Sequence, residues 1–129
     1  LQSLTAAMGE TTGIEFAFDV DAEAAQHLSA NQATHLLYIA REAISNSVRH
    51  GQSRNTTVSL RMNTVGIQLE VRDDGVGFDP ATANRQGLGL RNIEARAREL
   101  NATCQVVSAP GQGATVRVEL SGDKLYAAF

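Results

Sequence analysis

The chain has 129 residues, 14 acidic and 11 basic, for a formal net charge of −3. That length suits one domain, and a composition 43% hydrophobic with 11 Gly and only 2 Pro is that of a globular protein and argues against disorder along most of the chain. The slight acidity argues against a nucleic-acid binder, and the single Cys104 rules out an internal disulfide framework. No stretch approaches the roughly 18 apolar residues of a membrane span, and the start lacks a basic-then-apolar signal. A cytoplasmic placement is therefore expected, including that of a cytoplasmic part of a membrane-anchored parent.

Residues 1–12 are small and mixed, and they read as a lead-in from a preceding helical segment. Gly13 to Val20 alternates apolar and other residues at period two, which predicts a half-buried strand. Asp21 to Leu28 reads as a polar, Ala-rich connection. Ser29 and Gln32 have the spacing of a capping box, so a long helix is expected from about Asn31 to Arg49, ending near Gly51. Thr56–Met62 and Ile67–Asp73 read as strands around the turn Asn63–Gly66. A Gly-, Asp- and Pro-rich loop follows, with residues 78–86 as a short lid. A second helix is expected over Leu88–Leu100, stopping at Asn101. Cys104–Val107 and Thr115–Leu120 complete the strands around Pro110 to Gly113, and residues 122–129 form a tail without pattern.

Strands joined by tight turns favour antiparallel pairing, and two helices can cover only one face of the sheet. The expected fold is α/β: a two-layer α/β sandwich over residues 13–121, with a mostly antiparallel mixed sheet. Its other face, carrying Thr57, Ser59, Gln68 and Glu70, would be wet or meet a partner.

Three constellations can carry chemistry. At about 100° per residue, Glu42 and Asn46 share a helix stripe that Arg49 and His50 continue. Carboxylate and amide oxygens are the hard donors that Mg²⁺ takes beside water and phosphate; a solvated helix face is the plainer reading. In Asp73-Asp74-Gly75-Val76-Gly77, period two puts Asp73 on the face of Ile67, Leu69 and Val71, with Asp74 opposite. A carboxylate ending a core-facing row needs a partner, and a ligand N–H would serve as well as the turn's own backbone. Gly87-Leu88-Gly89-Leu90 opens the second helix, where bare N–H groups favour phosphate, unless the glycines only ease packing.

Other residues carry less. His35 reads as a helix-surface or interface residue, and no second His or Cys sits at zinc spacing. Cys104 reads as a buried strand residue. Ser45 and Ser47 lie in no nucleophile elbow. Arg91, Arg96 and Arg98 read as a solvated face, with Arg91 in reach of a phosphate.

In order and spacing, Glu42 to His50 resembles the N box of the GHKL ATPase superfamily, which includes DNA gyrase, ninety-class heat-shock chaperones, mismatch-repair ATPases and histidine kinases. Asp73 to Gly77 resembles its first glycine box, Gly87 to Leu90 its second, and Gly111 to Leu120 its closing hairpin. The resemblance covers Gly13 to Leu120 and implies a Bergerat-type ATP-binding fold. The short lid and Gly87 to Leu100 look like sensor histidine kinases paired with LuxR/NarL-type response regulators. With no preceding phosphoacceptor helix, and with His27 and His35 unsuited to that role, the chain looks like an isolated catalytic domain.

The resemblance implies ATP and Mg²⁺ as cofactors. Asn46 would bind the metal and Glu42 would position water or metal near the phosphates. Asp73 would accept the adenine amino hydrogen. Gly75 and Gly77 would line the adenine pocket, with Gly87, Leu88, Gly89 and Leu90 on the phosphate side and Arg49 and His50 nearby. The γ-phosphoryl would pass to a His on a separate dimerisation domain, and a response regulator would be the indirect partner. Nucleic acid and membrane would not be contacted, and the isolated domain would be a monomer. One departure is Ala114 where many relatives have Thr, with Thr115 on the opposite strand face. An anti-sigma-factor serine kinase of the same superfamily, or a non-catalytic interaction module, are the competing readings.

Overall fold

A computed structural model describes residues 15–48, 55–77, 79 and 89–124. The strands are β1 (Glu15–Val20), β2 (Asn55–Met62), β3 (Gly66–Asp73), β4 (Thr103–Ser108) and β5 (Ala114–Ser121). The helices are α1 (Ala22–Gln26), α2 (Ala30–Asn46) and α3 (Leu90–Glu99), and one 3₁₀ turn spans Gly122–Lys124. The five strands form one sheet in the order β1-β2-β3-β5-β4. Only β1 with β2 is parallel; the other three neighbouring pairs are antiparallel. This is the expected mixed sheet, with helices packed on one face.

The local signals account for most of these elements. Ser29 and Gln32 form the reciprocal capping box, at 3.1 and 2.8 Å. From there α2 buries Leu36, Ile39, Ala40, Ala43 and Ile44, the inward stripe of a 3.6-residue period. These meet Val58, Leu60, Ile67, Leu69, Val71, Val116, Val118 and Leu120 from the sheet, with Leu90, Ile93 and Ala97 from α3. Asn63 Oδ1 accepts from the N–H groups of Val65 and Gly66, both at 2.9 Å, which closes the β2–β3 turn. Asn101, at φ 54°, ends the segment after α3, as an Asn tolerating the left-handed region can.

Some expectations need correcting. Residues 22–26 form a helix, α1, where the sequence reads as a connection; Asp21 Oδ1 caps it by accepting from Glu23 N–H at 2.9 Å, and Ala24 is fully buried. The helix α3 starts at Leu90 behind Gly89, two residues later than expected. The strand β5 reaches Ser121, and the 3₁₀ turn occupies the first three residues of the supposed patternless tail. Cys104 is half-buried rather than buried. The lead-in 1–12, Arg49 and His50, Gly87 and Leu88, most of the lid 78–86, and tail residues 125–129 lie outside the described residues.

The second sheet face is polar and internally paired. Glu70 receives Arg117 Nε and Nη2 at 3.0 and 2.8 Å on Oε2, and pairs with Arg72 at 3.1 Å through Oε1. Arg61 pairs with Asp19 nearby. Among the described residues, no helix is long and apolar enough to cross a membrane.

Candidate functional site

The chemistry gathers where the C-terminal end of α2 meets the ends of β2, β3 and β5. Thr56, Asp73 and Ala114 lie side by side in the strand register, one on each strand. Ile67, Leu69 and Val71 precede Asp73 on the core face of β3, and all three are buried. Asp73 is thus the polar end of an apolar row, and its carboxylate needs donors. Among the described residues it has two: the Ser47 hydroxyl donates to Oδ2 and the Gly75 N–H to Oδ1, each at 2.9 Å. Each carboxylate oxygen retains a lone pair, so the group can accept further N–H donors from a ligand.

Ser47 carries no weight in the sequence as a nucleophile, and its partnership with Asp73 is invisible there. The available signal is position. Ser47 is one residue beyond the inward-facing Asn46, at the end of a helix whose stripe packs on β3.

Asn46 is 8% exposed. Its side-chain oxygen Oδ1 is buried and receives no hydrogen bond from the described residues, while the residue is engaged elsewhere. Glu42, one turn earlier and half-buried, brings its carboxylate against Gly89 at the start of α3. Gly89 has φ 66°, and a Cβ there would overlap Glu42 and lie 2.8 Å from its Cδ. The backbone angle favours glycine here, and any side chain would also have to displace the Glu42 carboxylate. The side chain of Leu90 is in the core at 4% exposure, so only its backbone can face a ligand.

The two glycines after Asp73 differ in use. Gly75 supplies the N–H that fixes Asp73. Gly77, at φ 68°, is pressed under the β4–β5 turn, where a Cβ would overlap Ala109 O and lie 2.8 Å from Gly113 O. The Gly111 N–H donates to Val76 O, so the hairpin tip clasps the loop. Asp74 points away from Asp73 and binds Asn55. Ala114 stands opposite Asp73, whereas Thr115 pairs with Arg72 on the other face.

The polar stripe continues between the helices as a groove of about 540 Å³ lined by His35, Tyr38, Glu42, Asn92, Arg96 and Glu99. The Arg96 guanidinium stacks 4.0 Å above the Tyr38 ring and lies 3.4 Å from His35 Nδ1. Arg96 is thus half-buried in a stack rather than on a solvated face, unlike the exposed Arg91 and Arg98. Among the described residues, no three His, Cys, Asp or Glu side chains converge as a metal cage. The donor set instead suits a metal that keeps its waters and takes phosphate oxygens, for which one amide oxygen such as Asn46 Oδ1 is a fitting protein ligand.

Residues 31–124 match the family described as histidine kinase-, DNA gyrase B-, and HSP90-like ATPase. A sensor protein VraS of Staphylococcus saprophyticus is 36% identical over 85 residues, covering 66% of this chain and 24% of the relative. A Staphylococcus aureus VraS is 38% identical over the same shares. The chain thus spans about a quarter of the length of these curated relatives. Among solved structures, a blue-light activated histidine kinase of Erythrobacter litoralis superposes with a TM-score of 0.76 at 18% identity, over 93% of this chain and 40% of that one. The ATP binding domain of PrrB from Mycobacterium tuberculosis gives 0.64 at 17% identity, over 92% and 91%. The chain belongs to the histidine kinase-, DNA gyrase B- and HSP90-like ATPase family.

Proposed function

We propose that this domain binds Mg-ATP and donates the γ-phosphoryl group to a histidine on a separate dimerisation domain, as the catalytic domain of a two-component sensor kinase. The observation that carries the reading is the Asp73 carboxylate, oriented by Ser47 and Gly75 and able to accept more donors. Adenine offers an amino donor where guanine offers a carbonyl acceptor, so a fixed carboxylate selects ATP over GTP.

Asn46 is the residue that would hold Mg²⁺, and Glu42 is placed one turn away to orient water or the metal beside the phosphates. When bound, the ion neutralises charge on the β- and γ-phosphate oxygens. The N-terminus of α3, which no side chain caps, faces the same end as Glu42 and would favour the phosphate chain. The resemblance of the boxes assigns Arg49, His50, Gly87 and Leu88 a phosphate-side role as well. Transfer breaks the γ-phosphorus bond to the bridging oxygen and forms one to an imidazole nitrogen, with ADP leaving. The domain's share is positioning and charge stabilisation.

The short segment between the two glycine boxes supports a parent kinase paired with a LuxR/NarL-type response regulator. The catalytic domain would lie in the cytoplasm, whether or not the parent is anchored in a membrane.

Calorimetric titration with ATP and GTP, each with and without Mg²⁺, tests the reading. Saturable ATP binding, tightened by Mg²⁺ and absent for GTP, is the expected result. Equal affinity for the two nucleotides, or none for either, overturns it.

A further inference from the structure

Asp74 is the one polar side chain of the first glycine box that the proposed chemistry leaves unused. It makes three hydrogen bonds to a single residue. Its N–H donates to Asn55 O at 3.2 Å, while its Oδ1 accepts from Asn55 N–H at 3.0 Å and its Oδ2 from Asn55 Nδ2 at 2.9 Å. The last registered pair of the β2–β3 ladder is Thr56 with Asp73, so Asn55 and Asp74 stand where the next pair would be.

In a regular antiparallel ladder, a hydrogen-bonded pair exchanges two backbone bonds, each N–H going to the other residue's carbonyl. Here the first of these forms, and the second is taken over by the Asp74 carboxylate. The ladder is satisfied at this point without the Asp74 carbonyl, so the backbone can leave the sheet at once. It must do so, because the very next N–H, that of Gly75, turns back to Asp73 Oδ1 at 2.9 Å.

We infer that Asn55 and Asp74 form a positioning clamp that sets the orientation of the Asp73 carboxylate. The inference rests on the proposed role of Asp73 in nucleotide recognition and extends it to two residues that touch no ligand. With the Asp74 carboxylate removed, Asn55 N–H is drawn to the carbonyl of residue 74. The ladder then runs on by one pair and pulls Gly75 away from Asp73. The clamp is charge-assisted, since a carboxylate takes both prongs of one residue.

The test is a reversal in the full 129-residue chain, read in two ways. Asn55→Asp sets two carboxylates face to face, and Asp74→Asn leaves one acceptor oxygen where Asn55 N–H and Nδ2 each use one. The double variant Asn55→Asp/Asp74→Asn restores a carboxylate–amide fork with the roles exchanged. Calorimetric ATP affinity is expected to fall about tenfold in Asn55→Asp and to return to within about twofold in the double variant. In parallel, the exchange protection of the Gly75 amide, read by NMR without nucleotide, should drop in both single variants and return in the double. Wild-type Gly75 protection in the single variants overturns the clamp, as does a double variant that recovers neither readout. If the unaltered chain binds no ATP, the proposed function falls while the amide readout still decides the clamp.

Discussion

The Ser47 hydroxyl and the Asp73 carboxylate, 26 residues apart in the chain, meet at 2.9 Å where α2 ends over β3. The same hydroxyl lies 3.3 Å from Ala43 O, one turn back along its own helix. A hydroxyl has one proton, and the shorter contact to a charged acceptor is the stronger bond. Ser47 is 1% exposed, so water does not replace it easily. Ser47→Ala should therefore cost about 1 kcal/mol of ATP affinity, or about fivefold in Kd. Calorimetry measures this, and an unchanged Kd would show that Ser47 does not orient Asp73.

Asp73→Asn keeps the shape but replaces one acceptor oxygen with a donor. ATP affinity is expected to fall by about 1–3 kcal/mol, the range for a mismatched buried polar partner. The preference over GTP should narrow, because an amide N–H can serve the guanine carbonyl. Paired ATP and GTP titrations read both changes.

Asn46→Ala removes the amide oxygen that the proposed function assigns to Mg²⁺. The part of ATP binding that depends on Mg²⁺ should disappear, while binding measured in a chelator stays within about twofold. A full Mg²⁺ effect in the variant would remove Asn46 from the metal site.

Gly77 and Gly111 both have positive φ, at 68° and 81°, but only Gly77 is crowded. A methyl on Gly111 would meet nothing within 4 Å, whereas one on Gly77 would meet the backbone oxygen of Ala109. Gly111→Ala should cost about 1–2 kcal/mol from the backbone angle alone. Gly77→Ala should cost clearly more, because the hairpin tip must lift off the loop that follows Asp73. Denaturant midpoints rank the two, and equal values would mean that the tip yields freely.

Burial, and secondarily the charge of Glu94, raises the Cys104 thiol above its usual value of 9.0. A group whose folded pKa is raised stabilises fully below its unfolded value, and that contribution is lost as pH rises toward the folded one. Stability should therefore decline above about pH 9 more steeply in the native chain than in Cys104→Ala, as melting curves across about pH 8–10.5 would reveal. Parallel curves would mean that the thiolate is as well solvated in the fold as in the unfolded chain.

Much of the fold was legible because its signals are local. The capping box at Ser29 and Gln32, the apolar stripe of α2, the period-two strands and the Asn63 turn each depend on residues within a few positions. The short helix α1 was not legible, since five residues carry too little periodicity; Asp21 and the burial of Ala24 decide it. Asp73 was legible as a core-facing carboxylate, and Glu42 with Asn46 as one stripe. Spacing alone did not separate these from an ordinary turn and a solvated helix face.

The sequence by itself determined the two longer helices and the strands, and in what order the chemical groups follow. Only the tertiary structure decided that Ser47 serves Asp73, that Asn55 holds Asp74, and that Gly77 lies beneath Ala109 and Gly113. It also decided that β1 joins β2 in parallel. Each of these relations links residues far apart in the chain, where periodicity carries no information. Such partners are chosen by the packing of α2 and α3 on the sheet, and by the need of each buried polar group for a donor or an acceptor.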